Sequence, residues 1–315
     1  YLLINALADG KRQGSALAAH SDYQRIGINL TDDPELLSLL NDVLDGLTPE
    51  QAISQGQIQA LADTVTRVMD TAAGSSTNLS VAQLTELGLS AVSADILVSI
   101  QSAIAASAAD GSGVDTFAEL QAIIDAVQSN AISRIEDYNN GDGSNPSALV
   151  LQDYLDAGIS AVSLDNLALV NAAILIQPSQ GADSQAKIKK LVDTAISSLA
   201  EISSAAESNT AATLTVETFA DIGLVQINSA SLNKINGLLN TTNIDGAATA
   251  SFSAVQALVD SYLLINALAD GNRQGSALAA HSDYQRIGIN LTDDPELLSL
   301  LNDVLDGLSP EQAIS

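Results

Sequence analysis

The chain has 315 residues, 46% of them hydrophobic but only 3% aromatic and none Trp, so more than one core is expected, built from Leu, Ile, Val and Ala. Eleven basic against 38 acidic residues leave a net charge of −27, which repels phosphate backbones and anionic lipids and excludes nucleic acid as a partner. Cys is absent, which excludes disulfides and thiolate chemistry, and no apolar run reaches the ~20 residues of a membrane-spanning helix.

Residues 262–315 repeat residues 1–54, and only Lys11 (Asn272) and Thr48 (Ser309) differ between the copies. The period is 261 residues. Shared fold pressure tolerates far more drift than two changes in 54 positions, so repetition is itself a product of the sequence. Because the chain begins at Tyr1 and ends at Ser315, both inside a repeat, it reads as a segment of a longer array with targeting signals elsewhere.

Taken in order, a shorter period appears inside the long one. Glycines at 27, 88, 158, 223 and 288 are separated by 61, 70, 65 and 65 residues. Four positions before each stands a large apolar side chain, Tyr23, Leu84, Tyr154, Phe219 or Tyr284, and just after each stands Ile28, Leu89, Ile159, Leu224 or Ile289. This pattern predicts a first helix that ends on a left-handed glycine, with the next apolar residue folded back on the last turn. A second helix is predicted to start at Asp33, Ser93, Ser163, Asn228 and Asp294, whose side chains can accept from free N–H groups, with Pro34 and Pro295 at the first helical position. Eight residues after each cap comes an amide: Asn41, Gln101, Asn171, Asn236 or Asn302.

A third, longer helix is predicted from stripes such as Ile58, Leu61, Ala62, Val65 and Val68, or Ile188, Leu191, Val192, Ala195 and Leu199. Each carries an acid at a matched place: Asp63, Asp125, Asp193 or Asp260. The run Thr48-Pro49-Glu50-Gln51 adds a capping-box start before the first of these helices. The expected fold is all-α: an elongated tandem array of repeats of about 65 residues, each a three-helix bundle. Expected bounds are 1–9 for the end of a preceding repeat, then 10–74, 75–143, 144–208 and 209–271, with 272–315 a truncated repeat. Neighbours differ while every fourth unit is nearly the same, an arrangement that discourages exchange of helices between adjacent cores.

Little here carries chemistry. His20 and His281 are one position in two copies, so no histidine pair forms within a unit, and a surface or half-buried place on the first helix is expected. The matched amides could line a ligand groove; the plainer reading is that they satisfy backbone groups left open where the first helix stops at glycine. The matched acids are expected on a solvated flank or at a neighbouring helix end. Asp137, Asn139 and Asp142, with neighbouring polar residues, offer the hard oxygen donors that calcium takes, and they are the one metal candidate. Gly141 and Gly143 do not fall where an EF-hand loop has its glycine, and no glutamate closes the loop, so an ordinary polar turn stands beside the calcium reading. No other cofactor is expected.

Three motifs carry a resemblance: Ala269-Asp270-Gly271 at the end of a third helix, Asp-Tyr-x-x-x-Gly-Ile at 153–159, and Asp-Asn-Leu-x-x-Val-Asn at 165–171. Together they resemble the helical tandem repeats in the extender regions of very large secreted bacterial adhesins, including RTX-type ones, over the whole chain. The resemblance implies an extracellular or surface stalk that projects a binding domain located elsewhere, and it brings no catalytic residues. The leading expectation is therefore a structural spacer that is not an enzyme, whose partners are adjacent repeats and other copies of the protein. A self-assembling extracellular filament or surface layer is the alternative, and a three-helix module that captures host proteins is a third.

Overall fold

In a computed structural model, residues 4, 7, 8, 17–48, 54–75, 78–140, 148–269, 278–309 and 312 are described. The protein is all-helical, with fourteen α-helices, one short 3-10 helix and no strand among the described residues. Helix lengths recur in the order short, middle, long. The short helices are α1 His20–Arg25, α4 Val81–Glu86, α7 Leu151–Asp156, α10 Val216–Ala220 and α13 His281–Arg286. The middle ones are α2 Pro34–Asp45, α5 Leu97–Ala105, α8 Leu167–Leu175, α11 Ser229–Leu239 and α14 Pro295–Asp306. The long ones are α3 Gln55–Ala72, α6 Phe117–Asn140, α9 Gln185–Ser208 and α12 Phe252–Leu268.

Every short helix stops on its glycine as the spacing predicts. Gly27, Gly88, Gly158, Gly223 and Gly288 all have φ between 77° and 90°, which L side chains reach only at a cost. The following N–H groups of Ile28, Leu89, Ile159, Leu224 and Ile289 donate back to the carbonyls of Tyr23, Leu84, Tyr154, Phe219 and Tyr284 at 2.8–3.3 Å. Each glycine N–H also closes on the third residue before it, for example Gly27 on Gln24 at 2.9 Å. These paired bonds satisfy carbonyls that the helix end would otherwise leave open.

The starts of the middle helices follow two patterns. Asp33, Asn228 and Asp294 cap as expected, each accepting from the N–H groups two and three residues on. Ser93 and Ser163 do not cap. There the chain makes a turn over 94–96 and 164–166 before helix α5 or α8 begins, and in the second case the Ser163 N–H instead donates to Asn166 Oδ1 at 2.7 Å. The Pro49–Gln51 part of the predicted capping box lies outside the described residues.

The chain divides into two compact units, one of residues 1–133 with 152–160 and the other of 134–151 with 161–315. In the first, buried apolar side chains from Ile4 to Ile124 form one cluster; α3 packs on α2 before it and on α4 and α5 after it. In the second, a cluster runs from Leu169 to Leu305; α9 packs on α8 before it and α10 after it, and α12 on α13 and α14. Helices α3 and α9, and α12 through α8 before it and α13 and α14 after it, thus pack against elements on both sides in the chain. Burying each such Leu, Ile or Val contributes roughly 1.5–3 kcal/mol before conformational entropy is subtracted.

Candidate functional site

The most regular polar feature of the fold is a side-chain clamp. Asn41 Nδ2 donates to the Ala18 carbonyl at 3.0 Å, Gln101 Nε2 to Leu79 at 2.7 Å, Asn171 Nδ2 to Leu149 at 3.0 Å, Asn236 Nδ2 to Leu214 at 3.1 Å and Asn302 Nδ2 to Ala279 at 3.0 Å. All five acceptors lie two residues before a short helix begins. The matched amides therefore tie the middle helix to the segment that enters the short helix, and not to its glycine end. The glycine end needs no such help, because its two backbone bonds already satisfy it.

In the first and last copies the clamp has a third member. Tyr23 Oη donates to Asn41 Oδ1 at 2.9 Å and Tyr284 Oη to Asn302 Oδ1 at 2.7 Å. Burial, then the neighbouring Asp283 carboxylate, push the Tyr284 phenol up to about 12, and burial with Asp22 raises Tyr23 in the same way; both phenols stay neutral donors over the physiological range. At the fourth copy the aromatic is Phe219, which has no hydroxyl, and the buried Asn236 Oδ1 has no hydrogen-bond partner.

The remaining candidates occupy structural or solvated places. His20 is half-buried at the start of α1, its Nε2 3.0 Å from the Leu30 carbonyl and its Nδ1 3.6 Å from Asp32; His281 Nε2 makes the matching contact with Leu291 at 2.8 Å. Asp63, Asp125, Asp193 and Asp260 are all exposed, and the first three are held by the side chain four residues before them, Gln59, Gln121 or Lys189. Gln59 also exchanges two bonds with the Asn29 backbone, at 2.8 and 2.9 Å, as Gln121 does with Ser90 at 2.9 and 3.4 Å. These glutamines hold the chain just past the glycine.

Two of the three calcium candidates, Asp137 and Asn139, lie within the described residues. Asp137 and Asn139 lie on α6 and not in a loop; Asp137 is exposed, whereas Asn139 is buried with its Nδ2 donating to the Pro178 carbonyl at 3.0 Å. Residues two apart on a helix point to nearly opposite sides. Asp142 lies outside the described residues. No cluster of three or more metal-ligating side chains occurs among the described residues, and no described helix is long and apolar enough to cross a membrane.

One acidic pair has perturbed ionisation. Thr116 caps α6, accepting from the Glu119 N–H at 3.2 Å and donating to its carboxylate at 3.0 Å. Partial burial, then Glu119, raise Asp115 to about 6, while the hydrogen bond with Asp115 lowers Glu119. Sequence reading missed this pair, because an acid just ahead of a helix cap and another in the first turn are ordinary until one is partly desolvated. A surface groove of about 350 Å³ is walled by Leu47, Leu61, Thr85 and Glu86.

No protein-family profile, curated protein or solved structure matches the chain.

Proposed function

We propose that this chain is a structural spacer: a stretch of an extracellular stalk in a large, repetitive bacterial surface protein, which acts by its length and not by chemistry. The observation that carries the reading is the fivefold recurrence of one joint, a glycine-terminated short helix clamped by an amide, within a sequence that returns to itself after 261 residues. In this reading the repeat is about 65 residues and three helices, with bounds near 74, 143, 208 and 271, and successive repeats add along one direction. The surplus of acid keeps an extended, exposed body soluble. Its partners are neighbouring repeats.

Small-angle scattering tests the proposal. A helix of 20 residues is ~30 Å long, so four repeats in line give a longest dimension on the order of 100 Å, and removing residues 144–208 should shorten it while the remainder stays folded. A globular profile with a radius of gyration near the ~20 Å of a compact chain of this size would overturn the spacer reading.

A further inference from the structure

Three of the five clamp amides are buried, and one of these three lacks what the other two have. Asn41, Asn236 and Asn302 are 3%, 5% and 3% exposed, whereas Gln101 and Asn171 are half-buried. A half-buried amide can turn its oxygen to water; a buried one depends on the protein for a donor. At the first joint Asn41 Oδ1 accepts twice, from the Ala18 N–H at 3.1 Å and from Tyr23 Oη at 2.9 Å. At the fifth, Tyr284 Oη supplies Asn302 Oδ1. At the fourth joint both kinds of donor are withdrawn. Phe219 has no hydroxyl, and the Leu214 N–H, which matches that of Ala18, turns instead to the Ala211 carbonyl at 3.0 Å.

The reason lies in the segment that enters the short helix. It is extended at 17–19, 78–80, 148–150 and 278–280, but ahead of α10 it is preceded by the 3-10 helix Ala211–Thr213. That turn is held at its start by Asn240 Oδ1, which accepts from the Ala211 N–H at 2.8 Å. The Leu214 N–H can serve the Ala211 carbonyl or Asn236 Oδ1, so either arrangement leaves one oxygen short of a donor. In the folded chain the short one is Asn236 Oδ1.

We propose that the fourth joint is the opening point of the chain, where the segment 210–215 and α10 come away from α11 while the other joints stay closed. A buried acceptor without a partner has lost its water and gained no bond, and it recovers water as soon as the joint opens. The cost therefore falls on the closed state of this joint alone and lowers its free energy of local opening. A second hold on the same joint, Ser198 Oγ on Asp221 at 2.9 Å, does not single it out for compensation, since the fifth joint has the matching bond from Ser261 Oγ to Asp283 at 2.9 Å. In a stalk this is the joint that gives first under tension; opening in the unloaded chain does not rest on that reading.

Native-state hydrogen exchange of the intact chain tests this, read as protection factors at the matched amides Leu224 and Ile159, which donate to the carbonyls of Phe219 and Tyr154. The expected result is that Leu224 is about fivefold or more less protected than Ile159. Phe219→Tyr supplies the missing donor and should raise the protection of Leu224 about fivefold while leaving Ile159 unchanged. Tyr284→Phe removes a donor from Asn302 and should lower the protection of Ile289, whether or not a hydroxyl can be seated at position 219. Equal protection of Leu224 and Ile159, as an internal water donating to Asn236 would produce, overturns the proposal. A gap that persists in F219Y, together with an Ile289 that Y284F leaves unchanged, would assign the opening to another cause and also overturn it.

Discussion

At position 219 the fold shows what one hydroxyl is for. Tyr23 and Tyr284 supply the buried amide oxygen of Asn41 and Asn302 with a donor, and Phe219 leaves Asn236 Oδ1 without one. An unpaired buried acceptor retains its desolvation cost, so Phe219→Tyr should stabilise the protein by on the order of 1 kcal/mol. A melting temperature that does not rise would mean that the hydroxyl cannot be seated at this copy. A second single-residue effect is electrostatic. Asp115 is raised from 3.8 to about 6, so its contribution to stability is fully present below its unfolded value and is lost as pH rises through about 6; Glu119, lowered, contributes in the opposite sense and loses its share as pH falls. Asp115→Asn should therefore gain on the wild type as pH rises from about 4 to 7, by a small amount because solvent screens the site. A stability difference that stays constant across that range would count against the pair. Neither effect could be read from the sequence, since Phe in place of Tyr looks conservative until the oxygen above it is located.

Helix ends were legible wherever only one residue type can do the job. The positive φ after each short helix calls for glycine, and all five glycines marked by spacing are found there. Helix starts were less so, because a serine that can cap can also sit ahead of a tight turn; Ser93 and Ser163 resemble Asp33 in spacing, yet their side chains cap nothing. The amides were recognised by position, but their partners, 22 or 23 residues earlier, depend on how two helices cross and not on any local pattern. Gly223 and Gly237 separate the two roles of glycine. At Gly223, φ is +90° and a Cβ would come within 2.7 Å of the Ala172 Cβ and 2.9 Å of its backbone on α8, so Gly223→Ala should cost about 2 kcal/mol or more. Gly237 lies within α11 with open space where a Cβ would go, and Gly237→Ala should stabilise by roughly 0.5–1 kcal/mol. Equal shifts in denaturant midpoint for the two variants would remove the distinction.

Over the whole molecule acids outnumber bases 38 to 11, and described ion pairs such as Lys189–Asp193, which joins exposed side chains, contribute little. Raising sodium chloride from about 0.01 to 0.1 M shortens the screening length from roughly 30 to 10 Å and should raise the melting temperature by relieving self-repulsion among the acids. A falling or flat curve would show that the acids are already far enough apart. All-helical character was legible from periodicity, whereas the sharing of α3, α9 and α12 between neighbours was not, because a stripe of Leu and Val says that a face is buried but not by whom. That sharing has a consequence for how such a chain can change in length over generations. In the spacer reading a long helix must suit the helices on both sides, so the joints between successive repeats differ, and an excision of one repeat leaves the remainder folded but sets side chains that have drifted apart against each other at one joint. Recombination between the two nearly identical copies avoids this: Ile4, Leu7 and Ala8 are buried just as Ile265, Leu268 and Ala269 are, so a crossover there inserts or deletes 261 residues and returns every helix to a neighbour it already fits.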